Sequence, residues 1–248
     1  MIPVVSSVAA GIFFARGALL DLSKDQDADL CRWRSGDRAW NVSDASKSVA
    51  IELYEREAVR LADRFEAIDP AAVYAPVRDL LPGVPADMLE IGAGTGRDAA
   101  WFARQGHRIV AVEPAEGLRE AGRRLHREEA ITWLDDRLPD LPGTVALNKT
   151  FDLILLTAVW HHLDGAQRAA ALAVLSGLLA PEGRLLLSIR HGSIDPARGL
   201  FAGNTDQTIA DAHMAGLQLV ARRECESVQA ENRVAGVTWT WLAFQTGA

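Results

Sequence analysis

The chain has 248 residues, which at roughly 150 residues per domain admits one large α/β unit or two smaller ones and excludes a small stapled scaffold. With 49% hydrophobic, 24% charged and 6% aromatic residues, it has the apolar material for a sizeable core and is not a disordered composition. Lys and Arg number 26 against 33 Asp and Glu, a formal charge of -7, which argues against nucleic acid or any partner held mainly by its phosphates.

In chain order, the first feature is an apolar run over 8–15 that lacks a basic opening and is broken off by Arg16. It is too short for a membrane span and wrongly flanked for a signal. No other stretch reaches about 18 uninterrupted apolar residues, so a soluble protein without membrane association is expected. Residues 21–50 are polar, of mixed charge and aperiodic, and read as a loop or loosely helical extension. Val49, Leu53, Ala58, Leu61, Ala62 and Phe65 then recur at threes and fours, predicting an amphipathic helix over 48–67. A second short helix is predicted over 71–81, ended by Pro82-Gly83.

After Pro85 the pattern changes. Apolar runs at 88–91, 108–112, 131–134, 151–156 and 184–189 alternate with helices predicted over 97–105, 116–128 and 166–179, the sequence form of a parallel sheet with crossover helices. In the tail, a helix over 206–215 precedes runs at 217–222 and 237–244. The loop between these runs is too short for a crossover helix with both its turns, so they should pair antiparallel. The expected architecture is α/β: an N-terminal helical extension and lid over 1–85, then over 86–248 a Rossmann-like doubly wound sheet of five parallel strands with a C-terminal antiparallel hairpin.

Glu90-Ile91-Gly92-Ala93-Gly94-Thr95-Gly96-Arg97 is the most informative cluster. Glycines at alternate positions between a strand and a helix let a ligand approach the main chain with no Cβ in the way. A dinucleotide loop needs Gly or Ala at the last position of G-x-G-x-x-G, where Arg97 stands, which weakens an NAD-dependent oxidoreductase as the alternative. Glu113, at the end of the second run and followed by Pro114, can accept hydrogen bonds from both hydroxyls of a ribose. Asp135 and Asp136 end the third run, where a carboxylate can meet an exocyclic adenine amine. His161 and His162 follow the fourth run and His191 the fifth, at strand ends where this topology places ligands. Two cysteines, Cys31 and Cys225, cannot form a disulfide framework or a thiolate metal cluster, and a reducing cytoplasm is expected.

These residues, with the paired segments Phe151-Asp152-Leu153-Ile154 and Leu179-Ala180-Pro181-Glu182-Gly183-Arg184-Leu185, resemble a class I S-adenosylmethionine-dependent methyltransferase of the small type 11 or type 12 kind. The resemblance covers about 54–244 and departs from the family at Glu182, where a second glycine is common. It implies a strand order 3-2-1-4-5-7-6, S-adenosyl-L-methionine as donor, S-adenosyl-L-homocysteine as product, and no metal. The implied donor site is Glu90, Gly92, Ala93, Gly94, Gly96, Arg97, Glu113, Pro114, Asp135 or Asp136, and Thr157, with Arg97 near the ligand carboxylate. His161 and His162 are the candidates for a general base, because a displacement on an activated donor needs alignment first and a base only if the acceptor loses a proton. Tyr54 is a lid candidate, Trp160 could wall an aromatic acceptor, and Arg190 with His191 could meet an anionic one. Trp239 and Trp241 alternate with threonines and read as sheet packing. A small-molecule acceptor is expected, since no basic stripe interleaves with aromatics and no Asn/Asp-Pro-Pro-aromatic motif follows the fourth run. The absence of a cysteine pair disfavours arsenic chemistry. A monomer or homodimer is expected. The non-enzymatic alternative is a donor-binding subunit that joins a partner through the apolar segment 4–14.

Overall fold

The computed structural model describes residues 42–247, with side chains from residue 49. The apolar run at 8–15, Cys31 and the first part of the polar stretch lie outside the described residues. The described residues form one compact unit, which includes the two helices that precede the sheet.

Helix α1 (Val42–Glu66) begins earlier than the periodicity predicts. Apolar spacing reports only the part of a helix that packs, whereas helical hydrogen bonding propagates past it through any tolerant residues. The single helix expected over 71–81 is instead α2 (Pro70–Tyr74), capped by the Asp69 carboxylate, followed by a 3-10 segment, Ala75–Leu80. Pro76 has no N–H for an i to i−4 bond, so the α-helix stops there.

The sheet runs β3-β2-β1-β4-β5-β7-β6: β1 (Asp87–Ile91), β2 (Arg108–Val112), β3 (Ile131–Leu134), β4 (Phe151–Leu156), β5 (Leu179–His191), β6 (Leu217–Glu226) and β7 (Thr238–Thr246). β1 to β5 are parallel, and β7 is antiparallel to both of its neighbours. Strand β5 starts earlier than expected because Pro181-Glu182-Gly183 forms an irregularity within it, between the pairs Phe151–Leu179 and Leu153–Arg184. Glu182 has φ +63°, the left-handed region where glycine carries no penalty, which accounts for the family preference at that position. Helices α3 (Arg97–Ala103), α4 (Glu116–Leu125), α6 (Gly165–Leu178) and α7 (Thr205–Met214) make the crossovers. The short α5 (Pro142–Val145) and α8 (Ala230–Val234) lie in connections that the sequence presents as loops.

Both faces of the sheet are buried, which explains the nearly uninterrupted apolar runs of its strands. Leu89, Val110, Ile154 and Leu187 face Leu172 and Leu175 of α6 on one side. Met88, Ile109, Leu155 and Leu186 face Tyr74, Val77 and Phe102 on the other. Helix α1 adds a third cluster, Ala58 and Leu61 against Ala115 and Leu118. Phe151 is 0% exposed, and truncating it to Ala should cost about 3–5 kcal/mol. For a unit of this size that lowers the melting temperature by about 6–20 °C, read by calorimetry.

Candidate functional site

A cavity of about 470 Å³ opens above the carboxyl ends of β1 and β4, roofed along one side by α1. Chain order reverses between these two strands, and a doubly wound sheet forms its ligand crevice at that point. The loop from β1 into α3 forms the floor. The Gly92 and Ala93 amides donate to the Val112 carbonyl at 2.8 and 2.9 Å, and Gly96 N–H to the Ala93 carbonyl at 2.8 Å. Packing makes the same demand on the glycines as a ligand would. At φ +69° and +72°, a Cβ on Gly92 would come 2.5 Å from Val159 Cγ2, and one on Gly96 2.5 Å from Trp133 Cη2. Helix α1 is fastened to this loop through Thr95 Oγ1, which donates to Glu66 Oε1 at 2.6 Å. His126 Nε2 lies 3.1 Å from the same oxygen.

Four carboxylates are candidates for the floor or its neighbours by sequence position, Glu90, Glu113, Asp135 and Asp136, and the structure separates their roles. Glu113 is buried; its Oε2 accepts from Gly94 N–H at 2.7 Å and its Oε1 from Ala115 N–H at 2.8 Å. Burial pushes its pKa up to about 7, against the two backbone donors and Arg119, which pull it down. Each oxygen keeps a second acceptor position, and Glu113 lines the cavity. Glu90 also lines the cavity; its Oε2 is buried with no hydrogen-bond partner. Burial and the nearby Asp98 push its pKa well above the carboxylate range. Asp136 faces the cavity and is held by Thr144 N–H and Oγ1 at 2.7 and 2.8 Å. Asp135 is corrected: its side chain is 71% exposed and pairs outward with Arg119 at 3.3 Å. Consecutive residues at a strand end point to opposite sides.

Arg97 is in the lining, but its fork is committed to Asp98, Nε to Oδ1 at 2.6 Å and Nη2 to Oδ2 at 2.8 Å, and Nη1 donates to the Phe65 carbonyl at 3.1 Å. The Tyr74 hydroxyl, buried beneath, donates to Asp98 Oδ2 at 3.0 Å and lies 2.9 Å from Thr157 Oγ1. This chain of contacts joins the glycine-loop helix to the end of β4. Neither Tyr74 nor Asp98 stands out in the sequence, since their partners are 24 and 83 positions apart.

The far end of the cavity begins at a 3-10 turn, Trp160–His162. His161 and His162 both line the cavity, each with its Nδ1 buried and unpartnered. The His162 ring centroid is 4.4 Å from that of His161, and its Nε2 lies 3.1 Å from the Tyr54 hydroxyl of α1. Burial drives His162 down to about 4 and His161 well below its usual range, so both rings are neutral bases near pH 7. Trp160 is corrected. It is fully buried, its Nε1 donates to Thr208 Oγ1 at 3.1 Å, and it packs in the core away from the cavity. Arg168 fixes the turn by donating to the carbonyls of Trp160 and Ala202 at 3.1 and 2.8 Å. His191 is corrected too. It bonds Thr240 Oγ1 at 2.8 Å and is not among the cavity residues, whereas Arg190, its neighbour on β5, is. Trp239 and Trp241, expected to serve only in sheet packing, both reach the cavity wall. Pro114 and Ala93 line it as well. Among the described residues no group of three or more His, Cys, Asp or Glu could hold a metal, and no helix is long and apolar enough to cross a membrane.

Residues 89–185 match the sequence profile of a methyltransferase domain family. An uncharacterized methyltransferase of Alkaliphilus oremlandii is 28% identical over 40% of this chain and 44% of its own length. The chain thus spans less than half the length of that curated relative. Among solved structures, a Burkholderia thailandensis 1,6-didemethyltoxoflavin-N1-methyltransferase with bound 1,6-didemethyltoxoflavin and S-adenosylhomocysteine is 23% identical. The match has TM-score 0.65 and covers 86% of this chain and 93% of that one. The N-methyltransferase NodS of Bradyrhizobium japonicum, in complex with S-adenosyl-L-homocysteine, gives TM-score 0.57 at 20% identity, over 77% of this chain and 100% of that one. Residues 89–185 thus carry the sequence pattern of a methyltransferase domain, and the fold is the one these S-adenosylhomocysteine-bound methyltransferase structures share.

The donor end of this methyltransferase domain suits an adenosyl sulfonium compound. An orphaned buried carboxylate oxygen on Glu90 and the open acceptor positions of Glu113 meet the ammonium and ribose hydroxyls that such a ligand presents. Gly96→Ala should cost about 1–3 kcal/mol through its left-handed backbone and the Trp133 contact together. Urea unfolding checks this.

Proposed function

We propose that the protein moves the methyl group of S-adenosyl-L-methionine to an oxygen, nitrogen or sulfur of a small-molecule acceptor, acting in the cytoplasm as a monomer or homodimer. The single observation that carries the reading is the bare glycine loop clasped by Glu113 at the sheet's switch point, with Glu90 left unsatisfied beside it. Arg97 stands where a dinucleotide loop needs Gly or Ala, so the NAD alternative is not favoured. When bound, the donor supplies a methyl on a positively charged sulfur, already activated for displacement. The residues then bind and align. Glu113 holds the ribose, Asp136 meets the adenine edge, the backbone of Gly92–Gly96 carries the methionine portion, and Thr157 lies beside the reacting end. The Burkholderia thailandensis structure, which holds a small organic compound together with S-adenosylhomocysteine, supports an acceptor of similar scale.

Arg97 keeps α3 in register through Asp98, and its part in holding the ligand carboxylate is indirect. His161 lines the cavity, and its neutral imidazole is the group placed to take a proton from an acceptor O–H or N–H as the new bond forms. His162 is held behind it by Tyr54.

Incubation with the donor and a panel of metabolite classes, reading S-adenosylhomocysteine, tests the reading; no heat of binding for donor or product in calorimetry would sink it. Glu113→Ala should weaken donor affinity by about 1–3 kcal/mol. Replacing both His161 and His162 by Ala should lower turnover about 100-fold with donor affinity nearly intact.

The pH dependence has two parts. The ionised form of Glu113 is the competent ribose acceptor, and its pKa is raised to about 7. Donor affinity should therefore fall as pH drops through 7, approaching about tenfold per unit below it. The histidines, with His162 at about 4, are already neutral at pH 5, so kcat at saturating donor and acceptor should stay level from pH 8 to 5. An acid limb in kcat near 6.5 would remove the buried neutral pair from the mechanism.

A further inference from the structure

Acidic side chains gather at the glycine loop, and two arginines lie in the lining near the histidines. At the donor end stand Glu90, Glu113 and Asp136, with Arg97 neutralised by Asp98 and the exposed Arg64 and Arg137 at the edge of the lining. At the acceptor end stand Arg190 and Arg198, both cavity-lining, and among the described residues neither makes an ion pair within 4.0 Å. Glu226, an exposed acid at the rim, is paired with neither.

Arg190 is half-buried, and its sole hydrogen bond among the described residues is from Nη1 to the Ser193 carbonyl at 2.6 Å. Burial without a counter-charge pulls its guanidinium below the usual range, a cost that structural arginines ordinarily offset with a carboxylate. Arg198 follows Pro196 in a 3-10 turn, Pro196–Arg198, and its charge bears on both Tyr54 and His162. Trp239 stands across from Arg190 in the β5–β7 register with its indole 6.1 Å from the His161 ring, and Trp241 lies beside it on the same face of β7. His161 lines this chamber as well.

We propose that the acceptor is a planar aromatic or heteroaromatic compound bearing an anionic group, carboxylate or phosphoryl, which Arg190 and Arg198 hold while the ring lies against Trp239. This deepens the methyl-transfer reading and rests on it. An arginine fork suits either anion, and a ring laid against the Trp239 indole is favoured by stacking and desolvation. The proton-bearing atom of the acceptor then meets His161, while the anionic group stays at the rim where the arginines keep partial access to water. A neutral aliphatic acceptor would leave Arg190 buried without a counter-ion.

The test uses the full chain saturated with S-adenosylhomocysteine. Aromatic acids of one to three rings, beginning with 4-hydroxybenzoate, are titrated alongside their neutral methyl esters, phenyl phosphate, and cyclohexanecarboxylate as a non-aromatic acid. Binding is read by calorimetry and by quenching of indole fluorescence. At least one aromatic acid or phosphate should bind at least about tenfold more tightly than its neutral counterpart, and than cyclohexanecarboxylate. Preference for the acid over phenyl phosphate, or the reverse, identifies which anion the arginines take. Arg190→Gln and Arg198→Gln should each erase most of that preference while S-adenosylhomocysteine affinity and the melting temperature stay within error. Trp239→Leu should remove the quenching. Esters binding as tightly as acids, arginine variants that keep the preference, or a panel in which nothing binds while S-adenosylhomocysteine does, would each overturn the acceptor class. Failure of S-adenosylhomocysteine itself to bind would instead sink the methyl-transfer reading.

Discussion

The buried carboxylate of Glu113 accepts one backbone N–H from the glycine loop and one from the start of the next crossover, and the shape of the donor end depends on that clasp. An ionised carboxylate is costly to bury, and two peptide donors offset part of that cost without a bulky counter-ion entering the space. Because the same oxygens face the cavity, the group that shapes the loop also presents acceptors to whatever lies on it. Arg119 supports it from behind by donating to the Glu113 carbonyl at 2.6 Å, which orients the turn, and its charge favours the ionised carboxylate.

Around this clasp the chain builds walls from distant segments. Helix α1 contributes Tyr54 and Phe65 and is tied down at Glu66 and at the Phe65 carbonyl, so the roof and the glycine loop are coupled mechanically. At the opposite end Arg168 takes two carbonyls from different segments and fixes the turn that aims His161 inward and Trp160 into the core. The donor end is therefore rigid through backbone contacts, and the acceptor end through side chains spanning loops. Loops on a rigid scaffold are where a common fold varies what it recognises.

Much of the frame was legible because its strands are buried on both faces. Such strands leave nearly unbroken apolar runs, and the runs of β2, β3 and β4 coincide with the observed boundaries. The glycine loop and Glu113 were legible because both lie next to strand ends in a local pattern. Less legible were places where a backbone rule overrides periodicity. Pro76 divides one predicted helix into α2 and a 3-10 segment, and Glu182 adopts a left-handed conformation inside β5. The Tyr74 network leaves no trace in the sequence, because a buried phenol has no periodic signature and its partners come from two other segments.

Amino-acid order alone determined the element sequence, the antiparallel tail and the position of the nucleotide-type loop, since each follows from short-range spacing and turn chemistry. It also marked pairs of adjacent candidates, Asp135 with Asp136, Trp160 with His161, and Arg190 with His191. Only tertiary structure decided between the members of each pair. Neighbouring side chains on an extended or tightly turned backbone point in different directions, and only the packing of β3, α7 and β7 around them determines which direction is the cavity.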